Sequence, residues 1–350
     1  MAYTDIDDPS VYFQTTLYTG NATDDTAITH GGNSDLQADW IWIKNRTASG
    51  EGHHLYDSVR GVTKRIRTDT AAAESTVNDA LKSFDSDGFT VDDRAGVNQN
   101  TIPIASWNWK AGTSFTNDAS STSIGTIDST GSVNTDAGFS ITSFTANGSN
   151  ATIAHGLGAV PKMVILKNRS ISKYWATYHS SLGEGKAIFL DTTAAADADN
   201  TYWNNTAPTS TTFSFGTNSG NNNGNNMIAY CFAEKQGYSK FASYIGNGNA
   251  NGTFIPTGFK PAFTLFKKTN ATSEWFLLDG TRDPFNPVKK VFEANSDSVE
   301  ATDPDMDYLS NGFKIRTTNG NLGTNASTYI FMAFAENPFV TSTGIPTTAR

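Results

Sequence analysis

A repeat of about 100 residues limits what this chain can fold into more than anything else in it. Residues Gly138–Gly148 read GFSITSFTANG and residues Tyr238–Gly248 read YSKFASYIGNG. The same offset carries Trp175 onto Trp275, Phe213 onto Phe313, and the run Met163–Lys167 onto Phe263–Lys267. A looser first copy lies upstream, with Tyr18-Thr19-Gly20-Asn21, Trp40-Ile41-Trp42-Ile43-Lys44, Gly88-Phe89-Thr90-Val91 and Ile104–Trp109. The closing apolar run recurs as Ile228–Glu234 and Ile330–Glu336. A period this long belongs to a small domain and not to a solenoid unit. Tandem copies of one domain point to a surface assembled from modules and argue against a single active site.

The layout follows from these copies: a first module over 1–112, a Ser/Thr/Gly-rich connector over 113–137, a second module over 138–237, a third over 238–339, and a tail over 340–350. Period-two alternation in Phe139–Phe144, with short apolar runs such as Met163–Leu166, is the pattern of strands. Turn pairs such as Asp87-Gly88, Asn247-Gly248 and Asn311-Gly312 punctuate them. The expected fold is all-β, with three tandem antiparallel β-sandwiches of jelly-roll or lectin-like type. Residues 69–82 have the best helical composition and predict one short helix. The connector is either flexible or contributes one or two edge strands around Ser123–Val133. Copies two and three abut at Gln236-Gly237-Tyr238, which predicts a stiff rod or a fixed bend.

Charged residues are 17% of the 350, below the ~25% of ordinary soluble domains, and Asn, Thr, Ser and Gly take their place. A net charge of −9 works against binding phosphate backbones or anionic lipid. Lys64-Arg65-Ile66-Arg67 is the longest basic run. No apolar stretch approaches the ~20 residues that cross a bilayer as a helix. The acidic N-terminus lacks a signal-peptide core, so the expectation is a protein made in the cytosol that stays soluble, with neither nucleic acid nor membrane insertion among its partners. The single cysteine, Cys231, lies in an apolar strand and reads as a small core residue.

His53-His54 is the one place where two histidines adjoin, but adjacent strand residues point to opposite faces, which makes a poor metal site. A structural loop built from His53, His54, Asp57 and Arg60 is the better reading, with Asp57 and Arg60 paired and the feature confined to the first copy. Asp303-Pro304-Asp305-Met306-Asp307 lacks the Gly and Glu of an EF-hand, and Asp85-Ser86-Asp87-Gly88 is hairpin chemistry, although calcium held by loop carboxylates stays open. No metal site and no cofactor is assigned. Glu234 and Glu336 recur at strand ends as solubilising groups, and no Gly-x-Ser-x-Gly, Walker or His-Glu-x-x-His motif occurs. The expectation is therefore a protein that is not an enzyme. Trp40, Trp42, Trp107 and Trp109 form i, i+2 pairs that fill the sandwich core of module one or, alternatively, face out towards sugar rings. Trp203, flanked by Tyr202 and Asn204 in a polar segment, is the best candidate for an exposed ligand-binding aromatic.

Several phrases have a familiar wording. They include Ile6-Asp7-Asp8-Pro9-Ser10, Asn33–Gln37 before Asp39–Lys44, His53–Leu55 with Asp57–Gly61, Ser83–Val91, Trp107–Gly112 and His155–Met163. Together they resemble the repeat-bearing virion proteins of marine tailed phages, described as lectin-like or SPRY-like. The resemblance spans most of the chain and supplies no catalytic residues. It implies a virion structural protein, on a tail appendage or on the capsid exterior. The third copy departs most, because Pro256–Pro261 lacks the His-Gly-Leu-Gly phrase.

The expectation is an adhesive tail-fibre or appendage component in the virion. It would partner other virion proteins, a host-surface glycan and further copies of itself, with a trimer as the simplest assembly. The first module would dock on the particle, and the later ones would present Asn/Thr/Gly-rich loops. A capsid-decoration protein is the alternative, and a glycan depolymerase the third.

Overall fold

The computed structural model describes residues 2–218 and 220–346, and it is all-β with several antiparallel sheets. The first copy contains β1 (Phe13–Thr19), β2 (Thr26–Ile28), β3 (Trp40–Asn45), β4 (His54–Asp57), β5 (Lys64–Arg65), β6 (Ser75–Thr76), β7 (Leu81–Asp85), β8 (Gly88–Val91) and β9 (Pro103–Trp109). The second contains β10 (Thr113–Asn117), β11 (Ser129–Asn134), β12 (Phe139–Thr145), β13 (Ala151–Ala154), β14 (Met163–Asn168), β15 (Ala176–His179), β16 (Ile188–Phe189), β17 (Thr212–Phe215) and β18 (Asn226–Phe232). The third contains β19 (Ser239–Ile245), β20 (Phe254–Pro256), β21 (Phe259–Lys268), β22 (Trp275–Asp279), β23 (Val288–Glu293), β24 (Ala301–Leu309), β25 (Gly312–Ile315) and β26 (Thr328–Pro338).

One strand order recurs in all three: β1-β9-β3-β4, β12-β18-β14-β15 and β19-β26-β21-β22. Register makes the equivalence residue by residue. Trp42 faces Trp107, Ile165 faces Tyr230, and Leu265 faces Met332. Likewise Trp40 faces Asp57, Met163 faces His179, and Phe263 faces Asp279. Two of the three turn pairs close hairpins, with Asp85 opposite Gly88 and Leu309 opposite Gly312, whereas β19 and β20, on either side of Asn247-Gly248, do not pair with each other.

The apolar runs are continuous because these sheets are buried on both faces. On β3, Trp40 and Trp42 face a central cluster, while Ile41 and Ile43 face a second cluster under the outer sheet β2-β8-β7. On β14, Met163 and Ile165 face the centre, whereas Val164 and Leu166 face a cluster under β13-β17. In the third copy the outer pair β20-β25 joins the main sheet through β24 and β23, and its apolar residues merge with the central cluster. That cluster contains Trp109, Phe232 and Phe334, which occupy one equivalent position of the three closing strands. Phe334 lies 5.7 Å from Trp109 and 6.0 Å from Phe232.

Three expectations change and one alternative is decided. The copies close on one another around a shared core, so the rod is replaced by a ring in which the third copy touches the first. The four tryptophans are fully buried, as expected, but they fill this shared centre and not a core private to module one. Residues 69–82 carry no helix. Their backbone leaves the sheet to bond a neighbouring copy, and four-residue helices form at Ala95–Asn98 and Ala119–Thr122 instead. Of the two readings of the connector, edge strands are the one that forms: β10 and β11 extend the second sheet, although Ser123–Ile127 lies in neither. Of the tail, the described part is held by Asp7, which accepts from the Ser342 backbone N–H at 2.6 Å; residues 347–350 lie outside the described residues. Among those, no helix is long and apolar enough to cross a membrane.

Candidate functional site

Each copy hands the next one the same set of hydrogen bonds. The position after the β3, β14 or β21 turn carries a ring N–H: His53, Trp175 and Trp275. His53 Nε2 donates to Glu293 O of the third copy at 3.1 Å. Trp175 Nε1 donates to Arg67 O of the first, and Trp275 Nε1 to Phe189 O of the second, both at 2.8 Å. The backbone repeats the pattern, with the N–H of Glu74, Ala196 and Glu300 donating to the carbonyls of Arg169, Thr269 and Arg46. Three lysines follow the same circuit. Lys44, Lys167 and Lys267 each donate to one carbonyl of their own copy and one of a neighbour, Asp297, Ala71 and Thr192 respectively. Burial pushes each of the three ammonium groups down to about 8.

The expected Asp57–Arg60 pair forms, and both side chains are fully buried. It is not confined to the first copy, because Asp279 and Arg282 make the same pair. Each aspartate also accepts from an aromatic donor of the adjacent copy: Tyr230 Oη to Asp57 at 2.6 Å and Trp107 Nε1 to Asp279 at 3.1 Å. Each arginine reaches a glutamate, Glu74 at 3.2 Å and Glu300 at 3.0 Å. Each glutamate then takes a bidentate arginine across the boundary, Arg169 or Arg46, at 2.8–3.0 Å. Burial alone would raise the Glu74 carboxyl, but Arg169 and Arg60 hold it below the ordinary range.

At the boundary of copies two and three the four charged residues of this second network are exchanged. His179, Leu182, Ala196 and Thr269 stand where Asp, Arg, Glu and Arg stand elsewhere, and His179 Nε2 donates to Phe331 O at 3.2 Å. One missing partner would strand a buried charge, so the four positions are viable together or not at all.

His53 and His54 do face opposite ways. His53 Nδ1 accepts from Trp42 Nε1 at 2.8 Å, while His54 lies near Arg65, Arg67 and Arg94. His53 Nδ1 is occupied as an acceptor and Nε2 as a donor, so the ring is neutral, and burial holds it down at about 3. Asp303, Asp305 and Asp307 lie on β24, spaced as strand neighbours on one face.

Trp203 is not displayed. It is 2% exposed, its indole N–H donates to Lys186 O at 3.1 Å, and it packs edge-on to Tyr178. Despite the polar residues around it, Trp203 fills the second copy's outer core in a compact turn. Its neighbours differ: Asn204 is exposed and accepts from Asn150 at 2.7 Å, and Tyr202 borders a cleft.

That cleft, of about 400 Å³, is lined by Ala71 of the first copy and by Ser172, Lys173, Tyr174, Tyr202 and Asn218 of the second. Tyr174 is 56% exposed and rests on Phe189, with ring centroids 5.4 Å apart, and Phe189 in turn meets Tyr202 at 5.3 Å. The floor is pinned from below, since Lys167 Nζ and the Lys173 N–H both donate to Ala71 O. Tyr174 was not legible: alternation puts it on the face opposite Trp175, but Ala176 on that same face is buried in the outer cluster.

Fold and site together define an all-β protein of three interlocked repeats, with a shallow aromatic cleft where the first two meet. The chain belongs to the family described as a domain of unknown function, DUF7483, whose model matches residues 8–338. That match runs across all three copies, so the family's unit is the ring and not a single repeat. No curated protein and no solved structure matches the chain.

Proposed function

We propose that this protein is a phage virion structural component, acting on a tail fibre or appendage as a non-enzymatic adhesin with lectin-like sandwich modules. The observation that carries this reading is Tyr174, an exposed aromatic face on a fixed support, ringed by a lysine, an amide and a hydroxyl. The C–H face of a sugar stacks on such a ring while its hydroxyls find donors and acceptors at the rim. The shared core supports a static scaffold, because it leaves the copies no independent motion. The wording of the sequence supports the virion setting, with other virion proteins and further copies of this chain as neighbours.

A glycan array probed with the whole chain tests this. Binding of a host-surface glycan by the wild type, lost in Tyr174→Ala, is the expected result; silence across the array counts against it. The capsid-decoration alternative draws on Phe285, which is 78% exposed and suits a contact with another virion protein. Decoration predicts high copy number on tail-less heads, where a fibre component should be missing.

A further inference from the structure

Within the basic run Lys64–Arg67 one arginine has no ion-pair partner among the described residues. Arg67 pairs with Asp69, Arg94 with Asp79, and Lys64 donates to Thr76 at 2.9 Å. Arg65, on the short strand β5, is half-buried and makes no ion pair among the described residues, and its Nε is enclosed without a hydrogen bond. A half-buried guanidinium is ordinarily paired, and an orphaned donor of this kind calls for an explanation. Arg65 lines a cleft of about 540 Å³ between the first and third copies, together with Arg67, Thr70, Ser75, Ser296 and Asp297. Asp69, which lines the same cleft, is already committed to Arg67 and to the His53 backbone N–H. Asp297 lies on the third-copy wall. Arg65 is therefore the one guanidinium of this lining without an ion pair among the described residues, beside hydroxyls that suit an oxyanion.

We propose that this cleft binds one oxyanion group, a carboxylate or a sulfate, of an acidic saccharide, with Arg65 as its direct partner. The saccharide half of this assignment rests on the adhesin reading above, while the oxyanion half rests on Arg65 alone. Thr70, Ser75 and Ser296 supply neutral donors at the rim, and Asp297 disfavours a second negative group on that wall.

Calorimetric titration of the full chain tests it with four probes: tetragalacturonate, a 6-sulfated galactose tetramer, neutral galactotetraose and inorganic sulfate. The wild type should bind the acidic tetramers more tightly than the neutral one. Arg65→Gln should lose about tenfold on the acidic probes only, Arg65→Lys should fall between, and melting curves should confirm that both variants are folded. The ratio between the two acidic tetramers identifies carboxylate or sulfate as the natural group. Equal binding of acidic and neutral tetramers, or an unchanged Arg65→Gln, overturns the site. If neutral tetramer binding is lost in Tyr174→Ala while no acidic preference exists, the adhesin reading survives and this inference falls. Binding of inorganic sulfate through Arg65 with no tetramer bound overturns the saccharide assignment.

Discussion

Tyr230 donates its phenol to Asp57 at 2.6 Å across the boundary between the first two copies, and Trp107 does the same for Asp279 from the equivalent position. Both aspartates also hold a fully buried arginine, so each is the hinge pin of a boundary. Tyr230→Phe removes one neutral donor and should cost about 1–2 kcal/mol in urea unfolding. Asp57→Asn strands the Arg60 guanidinium and should cost about 3–5 kcal/mol. If the two variants are equally stable, the pair is not what secures the boundary.

The exchanged boundary makes a sharper case. Leu182→Arg puts a guanidinium where His179 and Ala196 offer no carboxylate, and should destabilise by about 3 kcal/mol or more. Adding Ala196→Glu to that variant should recover part of the loss, and a double-mutant cycle reads the recovery.

Trp203 and Tyr174 separate structure from display. Trp203→Ala empties a core position and should cost about 3–5 kcal/mol. Tyr174→Ala should change stability by no more than about 0.5 kcal/mol. Thermal melts of both variants, beside the glycan array, check the assignment.

Acid should weaken the ring steeply. All five histidines are buried: burial holds His30, His155 and His179 down at about 4, His53 at about 3, and His54 well below its ordinary value. The unfolded chain takes up these protons near pH 6.5, while the folded chain refuses them until near pH 4. Stability is therefore full above pH 6.5 and falls as pH drops towards 4, by about 3 kcal/mol for each fully expressed site. Urea midpoints at pH 7.5, 6 and 5 measure it, and a flat profile contradicts it.

The three boundary lysines act at the other end. Each is neutral above about 8 when folded, yet charged to about 10.5 when unfolded. Their contribution thus rises between pH 8 and 10. Lys167→Met should flatten that rise in the same urea series.

Much of this was legible in the residues. The offset that carries Trp175 onto Trp275 placed two equivalent boundary donors, and Asn-Gly and Asp-Gly placed the hairpins. The ring was not legible, because strand alternation says that Trp40 and Ile41 face opposite sides but not what each side meets. A continuous apolar run on β3 signals burial on both faces, and only the third dimension shows that one face belongs to the other copies. Asp279–Arg282 was not legible, because His179 and Leu182 stand at the equivalent places in the second copy and break the pattern. Trp203 was not legible either, because polar neighbours in sequence do not say what the indole meets in space.

Differential scanning calorimetry of the whole chain tests most directly whether the three copies are one cooperative body. A shared core predicts a single transition with a calorimetric to van't Hoff enthalpy ratio of about one. Two or three resolved transitions, each matching a separately expressed copy, would contradict it.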